Sequence, residues 1–421
     1  MTPDQLSRIV LHSVRRAVDA GELHVTVPER VLVETPPRPG CGDWATNVAL
    51  RLAKELRGRP GGPRAVAEVL RRRLENEPGI AGVEIAGPGF LNITLDAGSH
   101  AGLVRTVRRL GTTYGHGRAL AGTTVTFAAP TEPRAAVVTE AAVRLLRSQG
   151  ATAAVAPAGT AGERLRVTPV PDRAGDLFDR LGPDAARWAL LRPAAHDTPV
   201  LDPALLLAQR EANPLFRVRY AHARSRALLR NARDLGFGPD EDAPAPVSPG
   251  TPAGHPGASG TPDAPAAHAG AVRPGPGRTA TPAPTGHAVV PAPPDARAGH
   301  LDAPGTGPDA PGRAPETGGP GAADAGPYGP PDTAGALLAV LADHPRVVTA
   351  AARHRAPDRL ARHLETTADA FFRWLDNCPV LPSGEEKPSA AHRSRLALAD
   401  AAGTVLAGGL ALLGIDAPDI L

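Results

Sequence analysis

Between Pro239 and Thr333 the chain is written almost entirely in Ala, Pro, Gly, Asp and Thr, with hardly any large apolar side chain. Such a stretch cannot bury enough surface to offset the entropy of ordering it. It predicts a disordered insertion, partly extended where prolines cluster. Whatever folds must come from the two flanks, and these must pack across the insertion. That is tolerable because loop-closure entropy grows slowly with loop length. The whole-chain composition agrees: 46 Gly and 48 Pro in 421 residues, with 3% aromatics, is not the balance of a fully packed protein.

The segment up to about residue 120 reads as a small α+β domain. Leu6, Ile9, Val10, Val14 and Val18 follow helical spacing. Val31–Thr35 reads as a strand, Ala45–Leu56 as a second helix with Thr46 as its cap, and Arg64–Leu74 as a third with arginines outside. Strands at Val83–Ile85 and Leu91–Leu95 are joined by Gly87-Pro88-Gly89, which is strong turn chemistry. Residues 121–180 offer a strand at Val125–Phe127, a helix at Ala135–Gln149 and a further strand at Ala151–Ala156. That is one βαβ unit and part of a second, too short for a doubly wound sheet. From 181 the pattern is helical: Asp184–Leu191, Leu201–Arg210, a break at Asn213-Pro214, and a long helix over 215–234. Beyond the insertion, helices begin at Gly335 and cover Asp358–Leu375 and Ser389–Leu413. The expectation is therefore an α+β domain (1–120), a short Rossmann-like α/β segment (121–180) and an all-α bundle (181–421) interrupted over 239–333.

The formal charge of +3 is too small to imply nucleic acid by itself. Its carriers are more telling, because only Lys54 and Lys387 are lysines. Arginine binds phosphate bidentately and stacks on bases, although a GC-rich coding bias also enriches it. Arg219, Arg226, Arg230 and Arg233 share one face of the long helix, and Arg217 and Arg224 flank Tyr220 on a neighbouring face. An arginine stripe with an aromatic suits RNA; a solvated face is the competing reading. His222 fits a base or ribose contact and a structural role equally. Cys41 and Cys378 have neither metal-ligand spacing nor a disulfide framework, and read as free thiols in a reducing cytoplasm. The first 20 residues lack the apolar centre of a signal peptide, and no run of 18 apolar residues occurs, so no membrane contact is expected. Asp172, Asp176 and Asp179 lack the glycine and terminal glutamate of a calcium loop. His255, His268, His287 and His300 lack ligand spacing, so no metal is expected.

Four stretches, taken in order, resemble the arginyl-tRNA synthetases, a class I family. Gly42-Asp43-Trp44-Ala45-Thr46-Asn47-Val48-Ala49 is similar to a signature of their N-terminal additional domain. Ala86-Gly87-Pro88-Gly89-Phe90-Leu91-Asn92-Ile93 is similar to that domain's closing motif. Asp184-Ala185-Ala186-Arg187, with Asn213-Pro214 and the run Tyr220-Ala221-His222-Ala223-Arg224, resembles the start of their DALR anticodon-binding domain. Asn377-Cys378-Pro379-Val380-Leu381 and Leu412–Pro418 resemble its last helices. The resemblance implies an outer domain that contacts the tRNA elbow, with Phe90 and Asn92 as candidates. It also implies a bundle that meets the anticodon arm, with Arg217, Arg219, Tyr220, His222, Arg224, Arg226 and Arg230 as candidates. Asp43 and Asn47 read as braces of the small domain.

The middle departs from the family. After Phe127-Ala128-Ala129 the Pro130-Thr131 pair survives, but no histidine of the family's His-x-Gly-His type follows. Glu132 places negative charge where the resemblance puts ATP phosphates, opposite to what a helix N-terminus needs to hold them. Arg173-Ala174-Gly175 survives from the region of the second signature without its lysines. Most of the intervening sheet, with its arginine pocket, is missing. The leading expectation is a non-catalytic protein that binds tRNA, arginine tRNA in particular, and needs no cofactor. The alternatives are an ATP-dependent arginine–tRNA ligase and a protein-interaction scaffold that uses the insertion as its tether.

Overall fold

The computed structural model describes residues 1–36, 41–56, 62–170, 174–239 and 331–421. The insertion read from composition lies outside the described residues over 240–330, as do Asp172 and Arg173. Helix α1 (Pro3–Asp19) opens on a capping box: the Thr2 hydroxyl accepts from the Gln5 N–H, and the Gln5 side-chain carbonyl accepts from the Thr2 N–H. Its Leu6, Val10 and Val14 are fully buried. There follow β1 (Trp44–Thr46), α2 (Val48–Ala53) with a 3-10 turn at Lys54–Leu56, α3 (Pro63–Leu74), β2 (Ile80–Ala86) and β3 (Phe90–Leu95). The three strands form an antiparallel sheet in the order β1-β3-β2. The hairpin turn needs its glycines: Gly89 has φ 145°, and a Cβ there would stand 2.9 Å from the Pro63 carbonyl oxygen.

Three local readings are corrected. The strand expected at Val31–Thr35 forms a single bridge, Glu34 to Ala45. Val31 and Val33 do face inward, but Pro36 follows and has no N–H with which to continue a ladder. The helix expected from Ala45 starts at Val48, because Trp44–Thr46 pair with Leu91–Ile93. Thr46, read as the helix cap, lies one residue before the N-cap position at Asn47: its hydroxyl donates to the Leu32 carbonyl at 2.7 Å and accepts from the Val48 N–H, the first of α2, at 3.3 Å. The reading also passed over α4 (Ala97–Leu110), which Asp96 caps through the Ser99 N–H at 2.7 Å and which buries Leu103, Val104 and Val107.

After a 3-10 turn at Gly111–Thr113 comes one βαβ unit: β4 (Thr124–Phe127), α5 (Pro133–Ser148) and β5 (Thr152–Val155), with the two strands parallel. Val125, Phe127 and Ala153 are buried with Ala142, Val143 and Leu146 of α5. The other face carries Thr124, Thr126, Thr152 and Ala154, all exposed. Parallel strands covered on both faces run nearly continuously apolar. These alternate, as strands with one buried face do.

Helix α6 (Ala174–Leu191) is broken at Gly182 (φ 71°), next to Pro183. Where a helix was expected to reach Arg210, only the short α7 (Pro203–Leu206) forms. Asn213 caps α8 (Pro214–Asp234) and donates its side-chain amide to the Leu206 and Ala208 carbonyls at 2.8 and 2.9 Å. The bundle is completed by α9 (Pro331–His354), α10 (Pro357–Asp376) and α11 (Ala390–Leu413). Helix α11 packs against α4, α5, α6, α8, α9 and α10. It is long and apolar enough to cross a membrane, yet 83% of its most apolar window is buried inside the fold. Its glycines permit close approach: a Cβ at Gly408 would lie 2.7 Å from the Thr112 carbonyl oxygen. Asp400 of α11 accepts from Arg108 of α4 and from Arg226 of α8, each at 2.8 Å, and so ties three elements together. Arg144 of α5 donates to the Leu412 and Leu413 carbonyls at 3.0 Å, satisfying the last turn of α11.

A cluster of buried rings joins the 111–117 segment to α9 and α10. Tyr114 stacks on His344 (5.8 Å, 15°), and His344 meets His363 at 5.2 Å. Neither ring nitrogen of His344 has a hydrogen-bond partner, nor does Nε2 of His363. Burial pushes His344 well below the usual histidine range and lowers His363 to about 4.

Two outcomes are expected. Gly408→Ala lowers the unfolding free energy by about 1–3 kcal/mol through overpacking against backbone, which outweighs the helix-propensity gain of about 1 kcal/mol. Gly102→Ala on α4, where a Cβ meets nothing within 4 Å, raises it. The second outcome concerns pH. An unfolded histidine titrates near 6.5, so between about pH 4 and 6.5 the unfolded chain binds more protons than the fold, and stability falls as pH drops through that window. Denaturant titrations are expected to lose about 3 kcal/mol there from His363 alone, and His363→Met is expected to flatten the slope.

Candidate nucleic-acid interface

Helix α8 presents two arginine-bearing faces with different fates. On the outer one, Phe216 and Tyr220 lie one turn apart and stack at 5.6 Å and 8°. Tyr220 stacks in turn on Phe372 of α10, at 5.5 Å and 24°. The Arg217 guanidinium lies 5.4 Å over the Phe372 ring and is held by Asp369 at 2.6 Å and Glu211 at 3.3 Å. Tyr220 is 41% exposed, and Arg224, one turn further along, is exposed as well. The result is a three-ring ladder edged by arginines at the surface. Sequence reasoning found Arg217, Tyr220 and Arg224 and missed Phe216 and Phe372. The four-residue spacing to Tyr220 was a signal for Phe216, but Phe372 is distant in sequence and none existed for it.

The inner stripe is turned onto the chain itself. Arg219 pairs with Asp184 and donates to the Asp416 carbonyl at 2.9 Å. Arg226 pairs with Asp400. Arg230 donates to the Asp419 carbonyl at 3.2 Å. His222 is buried between α11 and the C-terminal segment: Nδ1 lies 3.0 Å from the Gly403 carbonyl and Nε2 3.2 Å from the Asp419 carboxylate. Arg219, His222 and Arg230 are thus gathered under one segment, while Arg226 sits in the three-element tie.

Phe90 and Asn92 alternate along β3 and share a face. Phe90 is 42% exposed and Asn92 9%. Both line a groove of about 580 Å³ with Glu34, Cys41, Asn47 and Pro88. Asp43 braces this domain, accepting from the Leu95 N–H at 2.7 Å. Asn47 stands at the N-terminus of α2 without a side-chain capping bond.

The turn from β4 into α5 is closed by its own side chains. The Glu132 carboxylate accepts from the Ala135 N–H at 2.6 Å and the Val170 N–H at 3.0 Å. Arg134 is fully buried and donates to five carbonyls: Leu190 (3.2 Å), Thr168 (2.9 Å), Asp197 (2.7 Å), Pro193 (3.2 Å) and Ala194 (2.8 Å). Burial lowers its pKa, while Glu132 and Asp197 act the other way. The first turn of α5 continues Ala135-Ala136-Val137-Val138, with no imidazole. A free helix N-terminus attracts phosphate; here a carboxylate already occupies it, so the residues present do not fit one. Among the described residues no group of three or more His, Cys, Asp or Glu is placed to hold a metal.

Comparison with known proteins meets this geometry at both ends of the chain. The arginyl tRNA synthetase N terminal domain matches residues 4–95, and the DALR anticodon binding domain matches 324–421, a span that leaves α8 outside it. The chain is 47% identical over 167 residues to the arginine–tRNA ligase of Renibacterium salmoninarum, a stretch covering 36% of this chain and 30% of that one. Across 551 aligned positions, covering 100% of both chains, it is 30% identical to the arginine–tRNA ligase of Paenarthrobacter aurescens. Among solved structures, the Thermus thermophilus arginyl-tRNA synthetase shares the fold with a TM-score of 0.59 at 13% identity over 100% of both chains. The Plasmodium falciparum arginyl-tRNA synthetase gives 0.56 at 8% identity, over 100% of this chain and 99% of that one. Two terminal domains in family order, and a relative matched from end to end, leave one placement: the chain belongs to the arginyl-tRNA synthetase family, with a shortened and degenerate core between those ends.

Proposed function

We propose that this protein binds tRNA, arginine tRNA in particular, and does not charge it. The observation that carries the proposal is the Glu132 carboxylate on the N-terminus of α5, at the place where the resemblance puts ATP phosphates. Class I chemistry relies on positioning and charge stabilisation of that triphosphate. A carboxylate there, with Ala and Val where imidazoles are expected, opposes both. The polar outer face of β4 and β5 adds support. It argues against a further layer covering that face, since a buried sheet face would be apolar.

On the RNA side, the Phe216–Tyr220–Phe372 ladder with Arg217 and Arg224 suits unpaired bases beside their phosphates. The groove holding Phe90 and Asn92 suits a contact at the elbow. A second reading, an ATP-dependent arginine–tRNA ligase, is favoured by the names of the full-length relatives. A scaffold that meets protein partners through 239–333 concerns residues mostly outside those described.

The test is a fluorescence-anisotropy titration with arginine tRNA and a non-cognate tRNA at several salt concentrations, alongside ATP–pyrophosphate exchange with arginine present. Tight, salt-dependent binding that prefers arginine tRNA, without exchange, is expected. ATP-dependent charging would sink the non-catalytic reading, and no binding to either tRNA at low salt would sink the RNA reading. Tyr220→Ala is expected to weaken binding roughly tenfold, since stacking on an aromatic contributes about 1–3 kcal/mol per base.

A further inference from the structure

Two arginines of the inner stripe of α8, Arg219 and Arg230, are contacted by the last residues of the chain. Gly414 (φ 74°) turns the backbone out of α11, and Ile415, 3% exposed, anchors it in the core. From there the chain runs back along α8. The Asp416 carbonyl accepts from Arg219, the Asp419 carboxylate meets His222, and the Asp419 carbonyl accepts from Arg230. Leu421 reaches a cavity of about 270 Å³ that it lines with Phe216 and Arg219, so the segment ends beside the aromatic ladder.

Its hold is of a particular kind. Past Ala417 it buries little: Asp419 is exposed, Ile420 is 74% exposed and Leu421 53%. It is held mainly by polar contacts at the surface, which contribute little individually. Segments with few buried apolar contacts open locally at small cost. What they cover is the set of groups that bind phosphate best, and what they bring to it is the carboxylate of Asp419 and two backbone carbonyls.

We infer that residues 416–421 form a strap that occupies Arg219, His222 and Arg230 and is displaced by RNA phosphates. The strap regulates the proposed RNA face: while closed it leaves the outer ladder available, and when open it adds the groups it covered, Arg219, His222 and Arg230. The inference rests on the RNA-binding reading.

The experiment compares the full chain, a chain ending at Ala417 and the substitution Asp419→Asn, each confirmed folded by circular dichroism, against fluorescein-labelled arginine tRNA in a salt series. Ending at Ala417 keeps Ile415 and the Asp416 carbonyl. The shortened chain is expected to bind at least threefold tighter, with a log–log salt slope steeper by about one, as the freed Arg230 takes up a phosphate. Asp419→Asn moves the same way by less. Equal affinity and slope in all three, with the full chain binding, overturns the strap and leaves the RNA reading standing. No binding by any of the three overturns both. A second readout needs no variant: amide exchange at 416–421 in the full chain is expected to speed up when tRNA is added, and unchanged or slower exchange overturns the strap.

Discussion

The contact on which this architecture depends is the close approach of α11 to its neighbours. A helix of 24 residues, rich in Ala, Leu and Gly, runs through the middle of the bundle and touches the small α+β domain, the βαβ unit and the helices on either side of the insertion. Glycines at 403, 408 and 409 let α8, Thr112 and Leu364 approach closer than any side chain would allow. Around that apolar contact the charges are few and placed: Asp400 binds Arg108 and Arg226, and Arg144 finishes the helix's last turn. The helices before and after residues 240–330 meet here, α8 and α10 both packing on α11. The segments on either side of residues 240–330 therefore share one apolar core.

The short βαβ unit braces the bundle through α5, which packs on α6, α9, α10 and α11. In a full parallel sheet both faces are buried and the helix N-terminus at the strand ends is free for ligand. Here the sheet has two strands, one polar face, and a helix N-terminus closed by Glu132. Arg134, which could have pointed at an anion, is spent on five carbonyls of the chain and ties α5 to the 190–197 turn. With Arg144 at its other end, α5 braces the fold at two arginines, of which Arg134 is fully buried.

Arginine is used in three ways that composition cannot separate. Arg226, Arg134 and Arg144 are interior ties. Arg219 and Arg230 lie beneath the last residues of the chain. Arg217 and Arg224 edge the exposed aromatic ladder. Of these, Arg224 is exposed, and Arg217 is steadied over the Phe372 ring by Asp369 and Glu211. The accessible surface of α8 is thus narrower, and more aromatic, than its arginine count suggests.

Much was legible in the residues alone, wherever local chemistry decides. Helical spacing placed α1, α3, α5, α8, α10 and α11, and Gly87-Pro88-Gly89 placed the hairpin, because periodicity and turn stereochemistry are properties of neighbouring residues. The loss of the histidines after Pro130-Thr131 is likewise plain in the sequence. Residues 44–46 went to a strand and not to a helix because β3, distant in sequence, offered them a ladder. Phe372 joined Tyr220 because α10 returns beside α8. How Arg219, Arg226 and Arg230 are held was settled by the carboxylates of Asp184 and Asp400 and by the backbone carbonyls of Asp416 and Asp419, groups from separate parts of the chain. The sequence by itself determined most of the helices, the hairpin turn and the absence of histidines after Pro130-Thr131; only the tertiary structure decided how the arginines of α8 are paired, since an ion pair between distant residues exists only once the fold has brought them together.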